Sequence, residues 1–215
     1  MEPKVVLFQG DSITDAGRSR EHDHNPGFGY PDMVAGKLGY QYPFAYTFYN
    51  RGISGNRVVD LYARIKRDMI LLKPDYMSIL IGINDVWHEL MDHNGVDAEK
   101  FEFVYGLLIE ELLRELPGLK LMLMEPFVLP GSATASTEEN PGRWEYFREE
   151  TDLRRAAVKR LAQKYNLAFV PLQDKFTAVN ANAPEGYWLQ DGVHPTPAGH
   201  GLITEAWIEA FEKLK

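Results

Sequence analysis

Five short apolar runs punctuate the chain: KVVLFQ (4–9), AYTFYN (45–50), YMSILIG (76–82), KLMLME (120–125) and LAFVPL (167–172). Each is bounded by polar residues or by Gly and Pro, and several lack the in–out alternation of a half-exposed strand. Continuous apolar runs of this length fit strands covered on both faces. Between the runs the spacing turns helical. Val58, Leu61, Tyr62, Ile65, Met69 and Leu72 hold one face of a helix over 56–73. Phe101, Val104, Tyr105, Leu108 and Leu112 do the same over 97–116, and Leu153, Ala157 and Leu161 over 145–165. A last stripe, from Ile203 to Leu214, follows Thr196 as N-cap and Pro197 at the first helical position. Strand alternating with helix predicts a parallel α/β sandwich with helices on both faces of a five-stranded sheet. No repeat, low-complexity tract or long linker interrupts the pattern, so residues 1–215 are read as one domain. The polar stretch 131–143 reads as an exposed loop ahead of a helix.

The unusual polar residues fall just after the strands. Gly10-Asp11-Ser12 follows the first, NRGISGN (50–56) the second, GIND (82–85) the third and PFVLPG (126–131) the fourth. DGVHPTPAGH (191–200) comes after the fifth strand and a short helix. In a parallel sheet these segments gather at the carboxyl edge, where open α/β folds bind ligands. Residues 180 positions apart thereby become neighbours.

Composition narrows the partners. Apolar residues make up 45% and charged residues 25%, as in ordinary globular proteins. A net charge of −8 argues against nucleic acid and against an anionic membrane surface. With no cysteine, disulfides, thiolate zinc sites and cysteine nucleophiles are excluded together. MEPKVVLFQGDS reaches Gly10 and Asp11 too soon for a signal peptide, and no apolar stretch approaches the ~20 residues that span a bilayer. A cytoplasmic location is expected. The C-terminal helix and the 131–143 loop are the stretches through which a homo-oligomer could form, and no feature decides between them.

Ser12 alone reads more readily as a helix N-cap than as a nucleophile. His194 is a candidate base. Asp191 lies three residues before it, a spacing that lets its carboxylate face the imidazole within one turn, although Asp-Gly is also a common turn pair. Asp191 could hold one ring nitrogen of His194 while the other takes a proton from Ser12. An acyl-transfer site also needs donors for an oxyanion. The backbone N–H groups of Ser12 and Gly55 and the side-chain amide of Asn84 are available at the same edge. Singly, Gly55 reads as a turn residue and Asn84 as a cap. Together the residues make a set of nucleophile, base, orienting acid and three donors. Asp11 is expected to fix the segment that carries Ser12. Phe28, Tyr30, Trp87 and Trp188 lie near these residues in sequence and could line a substrate site, with core packing as the alternative.

The set resembles the SGNH hydrolases, also called the GDSL esterase/lipase family. GDSITD, NRGISGN, GIND and DGVHP match four family blocks in order over residues 10–194, with Ile13 where the family name has leucine. The resemblance implies a three-layer flavodoxin-like α/β/α fold and a serine esterase that needs no metal or other cofactor. The wording GDSITD-GR, RGISGN, IGINDVW and VHP--AGH is similar to acetylxylan esterases and related carbohydrate esterases. That implies removal of small acyl groups, acetyl above all, from sugar hydroxyls, with an acetylated oligosaccharide as partner. A thioesterase, or a short-chain or lysophospholipase-type lipase, is the nearest alternative. A non-catalytic carbohydrate-binding protein on the same fold is a more distant one. A metal hydrolase using His22, His24, His93 or His200 finds no familiar ligand spacing.

Overall fold

The computed structural model describes residues 2–215. All five apolar runs form strands: β1 (Lys4–Gly10), β2 (Tyr46–Asn50), β3 (Tyr76–Leu80), β4 (Lys120–Met124) and β5 (Ala168–Val170). They make one sheet in the order β2-β1-β3-β4-β5, with every neighbouring pair parallel. The chain therefore leaves β1 toward one edge and returns to β1's other side with β3, which puts the topological switch between β1 and β3.

The lack of alternation in the strands has a direct cause. Val6, Phe8, Tyr76, Leu80, Met122 and Met124 enter one hydrophobic layer, while Leu7, Met77, Ile79, Leu121 and Leu123 enter the opposite one. Both faces of the central strands are buried, so both sets must be apolar. The helices are α1 (Ser12–Asp15), α2 (Tyr30–Gln41), α3 (Val58–Ala63), α4 (Ile65–Asp68), α5 (Ile83–Asp92), α6 (Ala98–Glu115), α7 (Arg143–Lys164), α8 (Gln173–Asn180) and α9 (Pro197–Glu212). α3, α6 and α7 cover the second layer and α2 and α9 the first. The stripe of α9 is anchored by Trp207 stacked on Phe211, with ring centroids 4.9 Å apart and both side chains fully buried. Truncating such an aromatic to alanine costs about 3–5 kcal/mol.

Thr196 caps α9 as predicted, its hydroxyl accepting from the Gly199 N–H, and Pro197 opens the helix. The single helix expected over 56–73 is instead broken into α3, α4 and a 3₁₀ turn at Ile70–Leu72. The break falls at Arg64, whose guanidinium turns inward to Gln9 Oε1 (2.7 Å), the Arg51 carbonyl (2.9 Å) and Asn56 Oδ1 (2.8 Å). α2 is not evident in the periodicity, because YPDMVAGKLGYQ contains two glycines of low helix propensity. Tyr30, Val34 and Leu38 nevertheless repeat every four residues and are fully buried in the layer that α2 shares with α9.

The 131–143 stretch is only partly the exposed loop that its composition suggests. Gly131 and Thr134 are buried, and the Thr134 hydroxyl donates to the Leu129 carbonyl at 2.7 Å. The stretch begins by packing against the Asp191 turn and becomes a surface connection only beyond it.

Candidate active site

β1 ends at Gly10, and the chain turns at once into the four residues of α1. Asp11, not Ser12, is the N-cap: its Oδ1 accepts from the Ile13 N–H at 3.0 Å. That corrects the simplest reading of Ser12. Because Asp11 satisfies the helix end, the Ser12 hydroxyl is released from capping and takes another partner. Ser12 Oγ lies 3.0 Å from His194 Nε2. The other ring nitrogen, Nδ1, lies 2.7 Å from Asp191 Oδ2.

Asp191 divides its two oxygens. Oδ1 accepts from the backbone N–H groups of Val193 (2.9 Å) and His194 (2.8 Å), folding the turn. Oδ2 is left to hold the imidazole. The spacing of three residues is thus what lets one carboxylate shape the loop and orient the ring that the loop carries. The turn is braced from below. Leu129 N–H donates to the Gly192 carbonyl and Ala133 N–H to the Asp191 carbonyl, each at 2.9 Å. Gly131 lies so close that a Cβ there would sit 2.4 Å from the Asp191 carbonyl carbon and the Gly192 nitrogen.

The charges follow this geometry. Burial tends to raise the Asp191 carboxyl, but hydrogen bonds from the His194 ring and from two backbone N–H groups outweigh it and hold the group at about 2. Asp191 in turn raises the proton affinity of His194 above the ordinary histidine value. Asp11 is pushed the other way: burial lifts it to about 7, against the opposing pull of the Ile13 N–H and of His194. Its Oδ2 is buried without a hydrogen-bond partner among the described residues.

The donor side is built from the loop after β2 and the start of α5. Arg51 N–H donates to the Phe8 carbonyl (2.9 Å) and Ile53 N–H to the Gly10 carbonyl (3.1 Å), so the loop continues alongside β1. Asn50, almost fully buried, bonds the Thr14 and Pro26 carbonyls through Nδ2 and the Gly52 N–H through Oδ1. Asp15 Oδ2 accepts from the Ser54 N–H at 3.0 Å. Gly55 then turns through φ +81°, a conformation that disfavours any side chain. Asn84 and Asp85 hold the far end of the same loop. Asn84 Nδ2 donates to the Asn56 carbonyl at 3.1 Å, and Asp85 Oδ1 accepts from the Val58 N–H at 3.0 Å. An amide nitrogen carries two protons, so Asn84 keeps one donor beyond this tether.

Ser12 and His194 open into a pocket of about 390 Å³ that is also lined by Asp15, Ser54, Gln190, His200 and the ring of Phe28. Phe28 is 75% exposed, an aromatic rim on walls that mix polar groups with Ile13, Ala16 and Pro195. Trp87 lies beside the site, its ring centroid 5.8 Å from that of His194 and braced edge-on by Phe147. The other two aromatics lie elsewhere. Tyr30 is fully buried against Phe8 with its hydroxyl 3.0 Å from Thr14 Oγ1. Trp188 is tied through Nε1–H to the Val179 carbonyl and packs on the core. Of the remaining histidines, His22 and His24 stack on one another in an exposed loop. Among the described residues no three His, Asp or Glu side chains are grouped to hold a metal ion, and no helix is long and apolar enough to cross a membrane.

Arg64, Asn50 and Gly131 escape a reading based on chemical role alone, since each acts by positioning backbone. Asn50 opens the NRGISGN segment and Gly131 closes PFVLPG, but neither segment marks the backbone role of the residue in it.

Residues 8–202 match the GDSL-like Lipase/Acylhydrolase family. The chain belongs to this family. It is also 36% identical over 212 residues to an acetylxylan esterase of Geobacillus stearothermophilus, covering 94% of this chain and 91% of the esterase. The crystal structure of an acetylxylan esterase from that organism superposes with a TM-score of 0.83 at 34% identity, covering 98% of this chain and 96% of the other. A GDSL-like lipase candidate from Parabacteroides merdae superposes with a TM-score of 0.89 at 36% identity, covering 100% and 97%. Solved variants of the Geobacillus esterase described as catalytic mutants replace a serine, an aspartate and a histidine by alanine. In this protein Ser12, His194 and Asp191 bring those three residue types into one hydrogen-bonded chain.

Proposed function

We propose that this GDSL family esterase removes acetyl groups from a carbohydrate by a two-step acyl transfer through Ser12. The observation that carries the reading is the continuous chain from Ser12 Oγ through both nitrogens of His194 to Asp191 Oδ2, opening into a pocket of mixed polar and apolar lining. His194 Nε2 takes the hydroxyl proton as Ser12 Oγ attacks the ester carbonyl. The carbonyl π pair moves onto oxygen, and the resulting oxyanion is held by the N–H groups of Ser12 and Gly55 and by the free proton of the Asn84 amide. When the C–O bond to the alcohol breaks, His194 returns its proton to the departing oxygen. Water then repeats the sequence on the acetyl-enzyme, releasing acetate and restoring Ser12. Asp191 stays ionised throughout, as its low proton affinity requires, and steadies the imidazolium. Asp11 acts on the geometry, capping α1 so that the Ser12 side chain is free.

Two further observations support a sugar as the alcohol. The pocket walls supply side-chain hydrogen-bonding groups from Ser54, Gln190 and Asp15, with Phe28 available to cover a sugar face. The Geobacillus relative is named an acetylxylan esterase. The deciding experiment is a substrate panel with Ser12→Ala as control: acetylated xylo-oligosaccharides, acetyl-CoA, and p-nitrophenyl esters from acetyl to octanoyl. The reading expects acetyl over octanoyl by at least about 10-fold, the order of one or two methylenes' discrimination in a fitted pocket, and acetylated xylo-oligosaccharides over acetyl-CoA. Equal rates on octanoyl and acetyl esters would count for a lipase, and a preference for acetyl-CoA for a thioesterase.

A further inference from the structure

His200 stands in the first turn of α9, six residues beyond His194, and lines the same pocket as Ser12. Its ring is wedged against the backbone of Gly29, where an added Cβ would lie 2.8 Å from Cε1. Tyr30 N–H donates to its Nδ1 at 3.1 Å. That bond decides the tautomer: Nδ1 supplies a lone pair, so the ring proton of the neutral imidazole is on Nε2. Protonating Nδ1 would set N–H against N–H. Burial, reinforced by the nearby His194, holds the group down to about 4, so it does not compete with His194 for the Ser12 proton. Among the described residues Nε2 has no acceptor. A buried ring that spends one nitrogen on the backbone and presents an unused N–H at a pocket is arranged to meet a ligand.

The side of the ester it meets follows from the chemistry. The departing oxygen must take its proton from His194 Nε2, so the alcohol half lies against the loop that carries His194. Gln190, Pro195 and His200 belong to that same loop and the helix it enters, and all line the pocket. We propose that His200 Nε2–H donates to a hydroxyl or ring oxygen of a polyhydroxylated leaving alcohol, and so favours sugar esters over esters of simple alcohols or phenols. The inference rests on Ser12 and His194 being nucleophile and base, and it adds to that pair a residue that reads the alcohol.

The test compares His200→Phe, which keeps a ring but has no nitrogen, with His200→Gln, whose amide N–H can replace Nε2–H. Each is assayed on an acetylated xylo-oligosaccharide and on p-nitrophenyl acetate. His200→Phe is expected to lose about 10-fold or more in kcat/KM on the sugar ester, the effect of one hydrogen bond, while staying within about 2-fold on the aryl ester. His200→Gln is expected to recover most of the sugar activity. Equal losses on both substrates, or no loss on either, would overturn the proposal. If the wild-type enzyme does not hydrolyse the sugar ester, the carbohydrate reading fails separately. The comparison is then read on glycerol monoacetate against ethyl acetate, where a selective loss supports the donor and parallel rates overturn it. Nitrogen-15 NMR of the Ser12→Ala protein gives a readout independent of turnover: Nε2 of His200 protonated and Nδ1 bare at pH 7. A proton on Nδ1 would refute the assignment.

Discussion

Replacing Asn84 by alanine separates the tether that its amide makes from the oxyanion contact proposed for it. One Nδ2 proton is committed to the Asn56 carbonyl at 3.1 Å, which ties down the loop carrying Gly55. The other is free to meet the oxyanion. Losing a single oxyanion donor costs about 3–4 kcal/mol of transition-state stabilisation, or about 10²–10³ in kcat. Losing the tether costs about 1 kcal/mol of stability, which in a chain of this size lowers Tm by about 2–4 °C. The oxyanion exists in the tetrahedral intermediate and the transition states that flank it, not in the substrate complex, so substrate binding is barely affected. Initial rates of Asn84→Ala on p-nitrophenyl acetate should therefore show kcat down about 10²–10³ with KM within about 3-fold. Calorimetry should show a variant that is still folded and slightly less stable. A loss below about 10-fold, or one carried by KM, would refute the role given to the amide. A loss that scales with a large fall in Tm would show that the tether is its only contribution.

Two other outcomes follow from the site. His194 must be neutral to accept the Ser12 proton, and Asp191 raises its proton affinity, so kcat/KM should fall through one protonation centred above pH 6.5, the ordinary value for the ring. In Asp191→Asn the anion is gone, so that limb should move to lower pH while kcat drops by about 10⁴; an unmoved limb in the pH–rate profile would assign it to another group. Gly131→Ala places a Cβ 2.4 Å from the Asp191 carbonyl carbon. Pushing that turn aside by about 1 Å should reduce kcat about 10²-fold and, as an overpacked contact costing about 1–3 kcal/mol, lower the unfolding midpoint by several degrees; wild-type kinetics would show that the brace yields freely.

Much of the fold could be read from the chain because its strands are buried on both faces, and a continuous apolar run is the direct mark of such a strand. All five runs form strands, in one parallel sheet. The breaks in the helix expected over 56–73 could not be read, because they depend on Arg64 finding acceptors at Gln9, Arg51 and Asn56, residues from two other segments. α2 was hidden by its glycines and is held by tertiary burial of Tyr30, Val34 and Leu38. The same burial keeps Tyr30 out of the pocket beside Ser12, and Trp188 does not line that pocket, its indole N–H being bonded to the Val179 carbonyl. At the site, chemistry was legible where one residue supplies one function: the hydroxyl of Ser12, the imidazole of His194 and the carboxylate of Asp191 do meet. The supporting frame of Asn50, Arg64 and Gly131 was not, since residues that place backbone show no pattern until the chain is folded.

Every step of the proposed reaction runs through acylation of Ser12 Oγ. Treating the enzyme with an organophosphonate and sequencing its peptides by mass spectrometry tests it most directly. One adduct is expected, on the peptide carrying Gly10-Asp11-Ser12 and localised to Ser12, appearing in step with the loss of esterase activity and absent from Ser12→Ala. An adduct on any other residue, or full activity after Ser12 is modified, would contradict it.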